Sequence, residues 1–191
     1  MFFIKKLLTH RPDLFYFKRY TTKEMPHMGQ FYFKNIVFLY IICYNIYKDI
    51  NKLIKITSIR NAPTDGEVWA IVRRLKSSRA NWTQVAELSQ SWDLFKNYLN
   101  TKNAGQFSEQ WFDEVYVPIF LQEMQSPLAV KRLTELVNKT NDITLFCYCV
   151  DEKFCHRSII AGVLQGLGAE VVTDLNKDYS FYYERYKKMT T

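Results

Sequence analysis

Apolar positions along this chain follow two rhythms in turn. From Lys52 to Ile59 the order Lys-Leu-Ile-Lys-Ile-Thr-Ser-Ile is rich in β-branched residues and predicts a strand. Arg60-Asn61-Ala62-Pro63 closes it, a turn follows at Thr64-Asp65-Gly66, and Val68 to Val72 reads as a short second strand. Helical spacing then takes over. Ser91 is placed to cap a helix from Trp92 to Tyr98, with Asp93 in its first turn. Ser108 caps another, in which Trp111, Phe112, Val115 and Tyr116 share a face until Pro118 bends or ends it. Ser126-Pro127 opens a third, with Val130, Leu133, Leu136 and Val137 directed inward.

The last third returns to strands. Ile143 to Cys149 is an apolar strand, and Cys155 to Leu167 a helix with Ile159, Ile160, Val163 and Leu164 on one face. Gly168 sits where a helix terminator belongs, and Ala169 to Thr173 is the next strand. A strand–helix–strand unit of this kind implies parallel pairing with a right-handed crossover. Tyr179 to Lys188, aromatic and basic, is expected to be a surface helix closing the domain. The run from Phe31 to Tyr47 is almost continuously apolar, and periodicity does not choose between buried strand and buried helix there. With 191 residues the chain suits one α/β domain, expected over 28–191 and preceded by an extension, 1–27.

Charge supports that division. The extension holds Lys5, Lys6, Arg11, Lys18, Arg19 and Lys23 against Asp13 and Glu24, so it carries +4 of the chain's net +7. Basicity gathered in a leader favours a solvated tail over a nucleic-acid groove, although a tail touching an acidic surface remains the alternative. The best membrane candidate, Ile36 to Tyr47, contains Asn45 and is about 12 residues, short of the ~20 a span requires. The order of charges after Met1 does not fit a secretion signal, which makes the cytoplasm the expected location. Four cysteines, Cys43, Cys147, Cys149 and Cys155, are too few for a disulfide framework at this size; three of them crowd into one local segment.

That segment carries the candidate chemistry. The loop Val150 to Phe154 joins the carboxyl end of a strand to the amino end of a helix, the edge where open α/β sheets bind ligands. Exposed N–H groups at a helix start favour anions and thiolates, so Cys155 is the expected nucleophile or thiol contact and His156 the acid/base or orienting group. Cations at His156 and Arg157 oppose the helix dipole and make sense beside an anion, whether a phosphate, a carboxylate or Asp151; Ser158 adds a hydroxyl. Arg60, at the end of another strand, would reach the same edge and join Arg157 as an anion clamp. The plainer alternative is a small buried Cys155 with Arg157 paired to Asp151 or Glu152. Cys149 is close enough in sequence to meet Cys155 across the loop, as a contact or a redox pair. Zinc on Cys147, Cys149, Cys155 and His156 is disfavoured by regular strand geometry, which spaces the first two ~6.6 Å apart at ~3.3 Å per residue. Tetrahedral zinc needs sulfurs ~3.8 Å apart, so no metal is expected and Cys147 is read as core. Trp69, Arg73 and Arg74 form an aromatic and basic group suited to stacking on a base.

These residues also resemble a family. Ile143-Thr144-Leu145-Phe146-Cys147-Tyr148-Cys149, the acidic Asp151 and Cys155-His156-Arg157 are similar to the signature of domain of unknown function 488, related to the YeaO-like proteins. Phe31-Tyr32-Phe33 with Asn35, Ser58 to Pro63, and Leu88 to Tyr98 resemble its upstream segments, giving coverage of roughly 28–174. Two features depart from the family: Gln90-Ser91 stands where a Pro-Ser is frequent, and Ile36 to Ile50 is longer and more apolar. The resemblance implies a Rossmann-like three-layer α/β fold with a mostly parallel sheet, and one site containing Arg60 and Cys155 to Arg157. It implies no activity or cofactor. The function expected is the binding or processing of a small anionic, nucleotide-like ligand; the alternative is a non-catalytic nucleic-acid or protein-binding module using the basic extension, with or without a Cys/His zinc site.

Overall fold

The computed structural model describes residues 52–77 and 79–189. The extension 1–27, the domain start near Met28 and the apolar run 31–47 lie outside the described residues. Among the described residues five strands, β1 (Leu53–Ser58), β2 (Glu67–Ala70), β3 (Trp82–Gln84), β4 (Ile143–Cys147) and β5 (Glu170–Thr173), form one sheet in the order β3-β2-β4-β1-β5. Every pairing is parallel. Helices α1 (Trp92–Asn103), α3 (Pro127–Asn138), α4 (His156–Gly166) and α5 (Phe181–Met189) pack around it, with a composite α2 over residues 109–123. This is the α/β three-layer architecture expected.

Burial explains the strand positions. All five residues of the central β4 are buried, as a parallel strand covered on both faces requires. The edge strand β3, Trp82-Thr83-Gln84, was not foreseen; three residues with two exposed polar side chains give no period. Ser91, Ser108 and Ser126 cap their helices as read, accepting from the N–H groups of Leu94, Trp111 and Ala129. Several boundaries differ. Helix α1 continues past Tyr98 to Asn103. Pro118 does not end α2: a π-helical stretch, Phe112–Tyr116, precedes it, the Val117 N–H bonds back to the Phe112 carbonyl, and Val117–Glu123 carries the helix on. On α3 the inward row is Ala129, Leu133 and Leu136, four and three residues apart, which leaves Val130 40% exposed on the flank.

Helix α5 is more than a surface cover, because Tyr182 and Tyr186 are buried. Its close approach to α4 depends on two glycines: a Cβ at Gly162 would overlap the Tyr179 backbone carbonyl, and one at Gly166 would overlap the Tyr183 ring. Among the described residues no helix is long and apolar enough to cross a membrane.

The connections place the site. From β2 the chain moves outward to β3, while from β4 it crosses through α4 in the opposite direction to β5. The carboxyl ends of β2 and β4 therefore flank a topological switch point, the crevice where such sheets bind ligands.

Candidate functional site

β4 stops at Cys147, and the chain bends at Tyr148, whose hydroxyl accepts from the Lys76 N–H at 2.7 Å. This bend corrects the expectation of regular strand spacing between Cys147 and Cys149. It turns Cys149 back, so that the sulfurs of Cys147, Cys149 and Cys155 and a ring nitrogen of His156 all lie within 4.8 Å of one another. Cys147 is core, as expected, and its sulfur is 3.3 Å from that of Cys155.

Cys155 is the N-cap of α4, in extended conformation, and no side chain caps that helix start. His156 follows with Nε2 2.9 Å from the Ile71 carbonyl oxygen, just beyond β2. A carbonyl only accepts, so Nε2 carries the proton and Nδ1, 3.6 Å from the Cys155 sulfur, presents a lone pair to the thiols. The imidazole spans the switch point, its face edged by Phe120.

The thiols differ in exposure. Cys147 and Cys155 are buried, whereas Cys149 is partly exposed at the mouth. Contacts from the Cys147 and Cys155 thiols hold Cys149 far below the usual thiol range, against the opposing effect of burial. The hydrogen bond between Cys147 and Cys149, with burial and the Cys149 charge behind it, pushes Cys147 up to about 12, and burial raises Cys155 well above the ordinary value. One negative charge shared by three sulfurs belongs on the one nearest water. Of the three sulfurs only that of Cys149 is open to solvent; Cys155, the expected nucleophile, is 2% exposed.

Arg157 is also differently employed than a ligand clamp would be. It is 1% exposed; Nη1 donates to the Cys149 carbonyl at 2.6 Å and Nη2 to the Val150 carbonyl at 3.1 Å. Its ion-pair partner is Asp174 at 3.5 Å, neither Asp151 nor Glu152. Nη1 also approaches the Cys147 sulfur at 3.8 Å, and Nε has no partner. The side chain fixes the loop that presents Cys149. Asp151 is exposed and accepts from the Lys153 N–H, while the Ser158 hydroxyl points inward to the Cys155 carbonyl at 2.8 Å. Arg60 lies in the 3-10 turn after β1, at the same sheet edge, exposed, and outside the thiol cluster.

Three further residues bear on the loop: Tyr98 and Lys102, which the sequence did not single out for chemistry, and Glu152, considered only as a partner of Arg157. Glu152 is a buried carboxylate that accepts from the Tyr179 hydroxyl and the Leu175 N–H, tying the loop to the segment after β5. Tyr98 and Lys102 come from α1. A hydrogen bond to Tyr98, then the fields of Tyr98, Asp151 and Cys149, raise the Lys102 ammonium above its ordinary value despite some burial. Lys102 lies over the Tyr98 and Phe107 rings, 4.9 and 5.0 Å from their centroids. The Tyr98 hydroxyl reaches the Phe154 carbonyl at 3.4 Å. No motif marks these residues; only their helical spacing of four, on a helix extended beyond its predicted end, signals them.

Trp69, Arg73 and Arg74 do not form the stacking group expected. Trp69 is 5% exposed beneath Arg132 and Lys139, and Arg73 is bonded to the Ser89 and Gln90 carbonyls. β2 is covered on both faces from Val68 to Ala70, and the indole is buried with it.

No curated protein and no solved structure matches the chain. A family model described as the active DUF488-N3 subclade matches residues 52–168, from the first strand through the helix that follows the thiol loop. With the thiol loop, its Cys-His-Arg helix start and the strand before them inside that span, the chain belongs to the active DUF488-N3 subclade of the DUF488 family.

Proposed function

We propose that this domain binds and processes a small anionic, nucleotide-like ligand at the rim between β2 and β4, with Cys149 as its reactive thiol. The observation that carries the reading is the partly exposed Cys149 sulfur set among two buried thiols and an imidazole, beside the uncapped start of α4. N–H groups at a helix start offer donors to an anion, and Lys102 supplies a cation whose charge is felt at Cys149. Tyr98, Phe107 and Trp111 form a contiguous aromatic wall behind Lys102, which suits a flat base. A subclade described as active is consistent with a reactive group here.

The test is alkylation of Cys149 by iodoacetamide, read by peptide mass mapping with and without inorganic phosphate, AMP and other nucleotides. A bound phosphate group should slow labelling, and Lys102→Ala should weaken that protection. A ligand at 100 times its dissociation constant should also add about 2.7 kcal/mol of apparent stability in a thermal shift. Labelling rates untouched by every phosphate compound would sink the reading.

A further inference from the structure

We propose that Cys147, Cys149, Cys155 and His156 also form a four-coordinate site for a thiophilic divalent cation, Zn2+ before all others. The four donor atoms lie within 4.8 Å of one another, with 3.3 Å between the Cys147 and Cys155 sulfurs and 3.6 Å from the Cys155 sulfur to Nδ1. Tetrahedral zinc at ~2.3 Å from each sulfur separates them by ~3.8 Å, so side-chain adjustments of a few tenths of an ångström to about 1 Å complete the shell. Three thiols and an imidazole are soft and borderline donors, the set that selects zinc over magnesium or calcium.

The surroundings match the needs of such a shell. The Ile71 carbonyl holds the His156 proton on Nε2, leaving Nδ1 already bare for the metal. Any thiol proton still in place passes to solvent as its sulfur bonds the cation. Three thiolates and one Zn2+ leave a single negative charge, which faces the buried Arg157 guanidinium through Nη1, 3.8 Å from the Cys147 sulfur. The ligands sit on the end of β4, on the bend after it and on the first positions of α4, so the metal would clasp the whole loop. This inference rests on the preceding reading only in placing both events on one rim: a bound cation engages Cys149 and withholds it from any anion.

The experiment uses the full chain, reduced and freed of metal, titrated with Co2+ as a spectroscopic stand-in and then with Zn2+. Saturation at one equivalent should bring the visible bands of tetrahedral cobalt with a near-ultraviolet thiolate charge-transfer band, both removed by Zn2+. Cys149→Ser, at a partly exposed position, should remain folded by circular dichroism, weaken binding at least tenfold and reduce the charge-transfer band. Cys155→Ser is the second variant, and Zn2+ should block iodoacetamide labelling of Cys149 without any nucleotide. Only a weak octahedral cobalt spectrum, or equal affinity in the wild type and Cys149→Ser, overturns the metal site. AMP protection of Cys149 persisting in that event leaves the anion reading standing; zinc binding without AMP protection does the reverse.

Discussion

At the residue scale the decisive side chain is Arg157, since its burial changes what a mutation there means. A guanidinium 1% exposed, bonded to the Cys149 and Val150 carbonyls, is part of the loop's framework. Arg157→Ala would leave both carbonyls short of a donor and remove the partner of Asp174. Asp174 is exposed, so the cost is chiefly that of the part-buried carbonyls losing their donor, about 1–3 kcal/mol. Urea denaturation should show a loss of that size, whereas a surface clamp would lose ligand affinity with stability intact. The motif Cys155-His156-Arg157 was legible because it opens a helix after an apolar strand. The division of labour within it was not. Which thiol faces water depends on where β4 ends, and the apolar run Ile143 to Cys149 gives no sign that the chain bends at Tyr148.

At the element scale the site depends on α4 being held at both ends. Its amino end carries Cys155 and His156, and its outer face carries α5, which approaches through Gly162 and Gly166. A methyl at Gly162 meets the backbone carbonyl of Tyr179, which cannot rotate away as a side chain would. Gly162→Ala should therefore destabilise by about 1–3 kcal/mol, the range for overpacking, even though alanine is the better helix former by about 1 kcal/mol. Chemical denaturation decides between these opposite signs. Caps make a smaller, separable contribution: Ser91→Ala removes the acceptor of the Leu94 N–H and should cost about 1 kcal/mol in the same assay. Those caps were readable in the sequence because Ser91, Ser108 and Ser126 each stand before an apolar period. The π-helical stretch before Pro118 was not readable. It is an accommodation of backbone bonding to the missing proline N–H, and side-chain periodicity barely registers it.

At the scale of the whole molecule, Asp174 joins the sheet edge to the site. It follows β5, accepts from the Thr57 hydroxyl at 2.5 Å, the Ser58 N–H at 3.1 Å and the Asn61 amide at 3.3 Å, and pairs with Arg157. Burial pushes its carboxyl up, but the hydrogen bonds from Thr57, Asn61 and Ser58 and the charge of Arg157 outweigh it, so its pKa lies below the ordinary value. A carboxyl whose pKa is lowered by folding adds stability that is fully present above its unfolded pKa, about 3.9, and is lost as pH falls through the folded value. The stability difference between wild type and Asp174→Asn should accordingly be constant from neutrality down to about pH 5 and shrink below about pH 4. Urea midpoints across that range check it, and an undiminished difference at low pH would mean that asparagine fails for a reason other than charge. The carboxylate also restrains Arg157, which in turn fixes the Cys149 carbonyl. Iodoacetamide labelling of Cys149 in Asp174→Asn should therefore change at pH 7, where the fold persists, if the sheet edge and the thiol loop act as one unit.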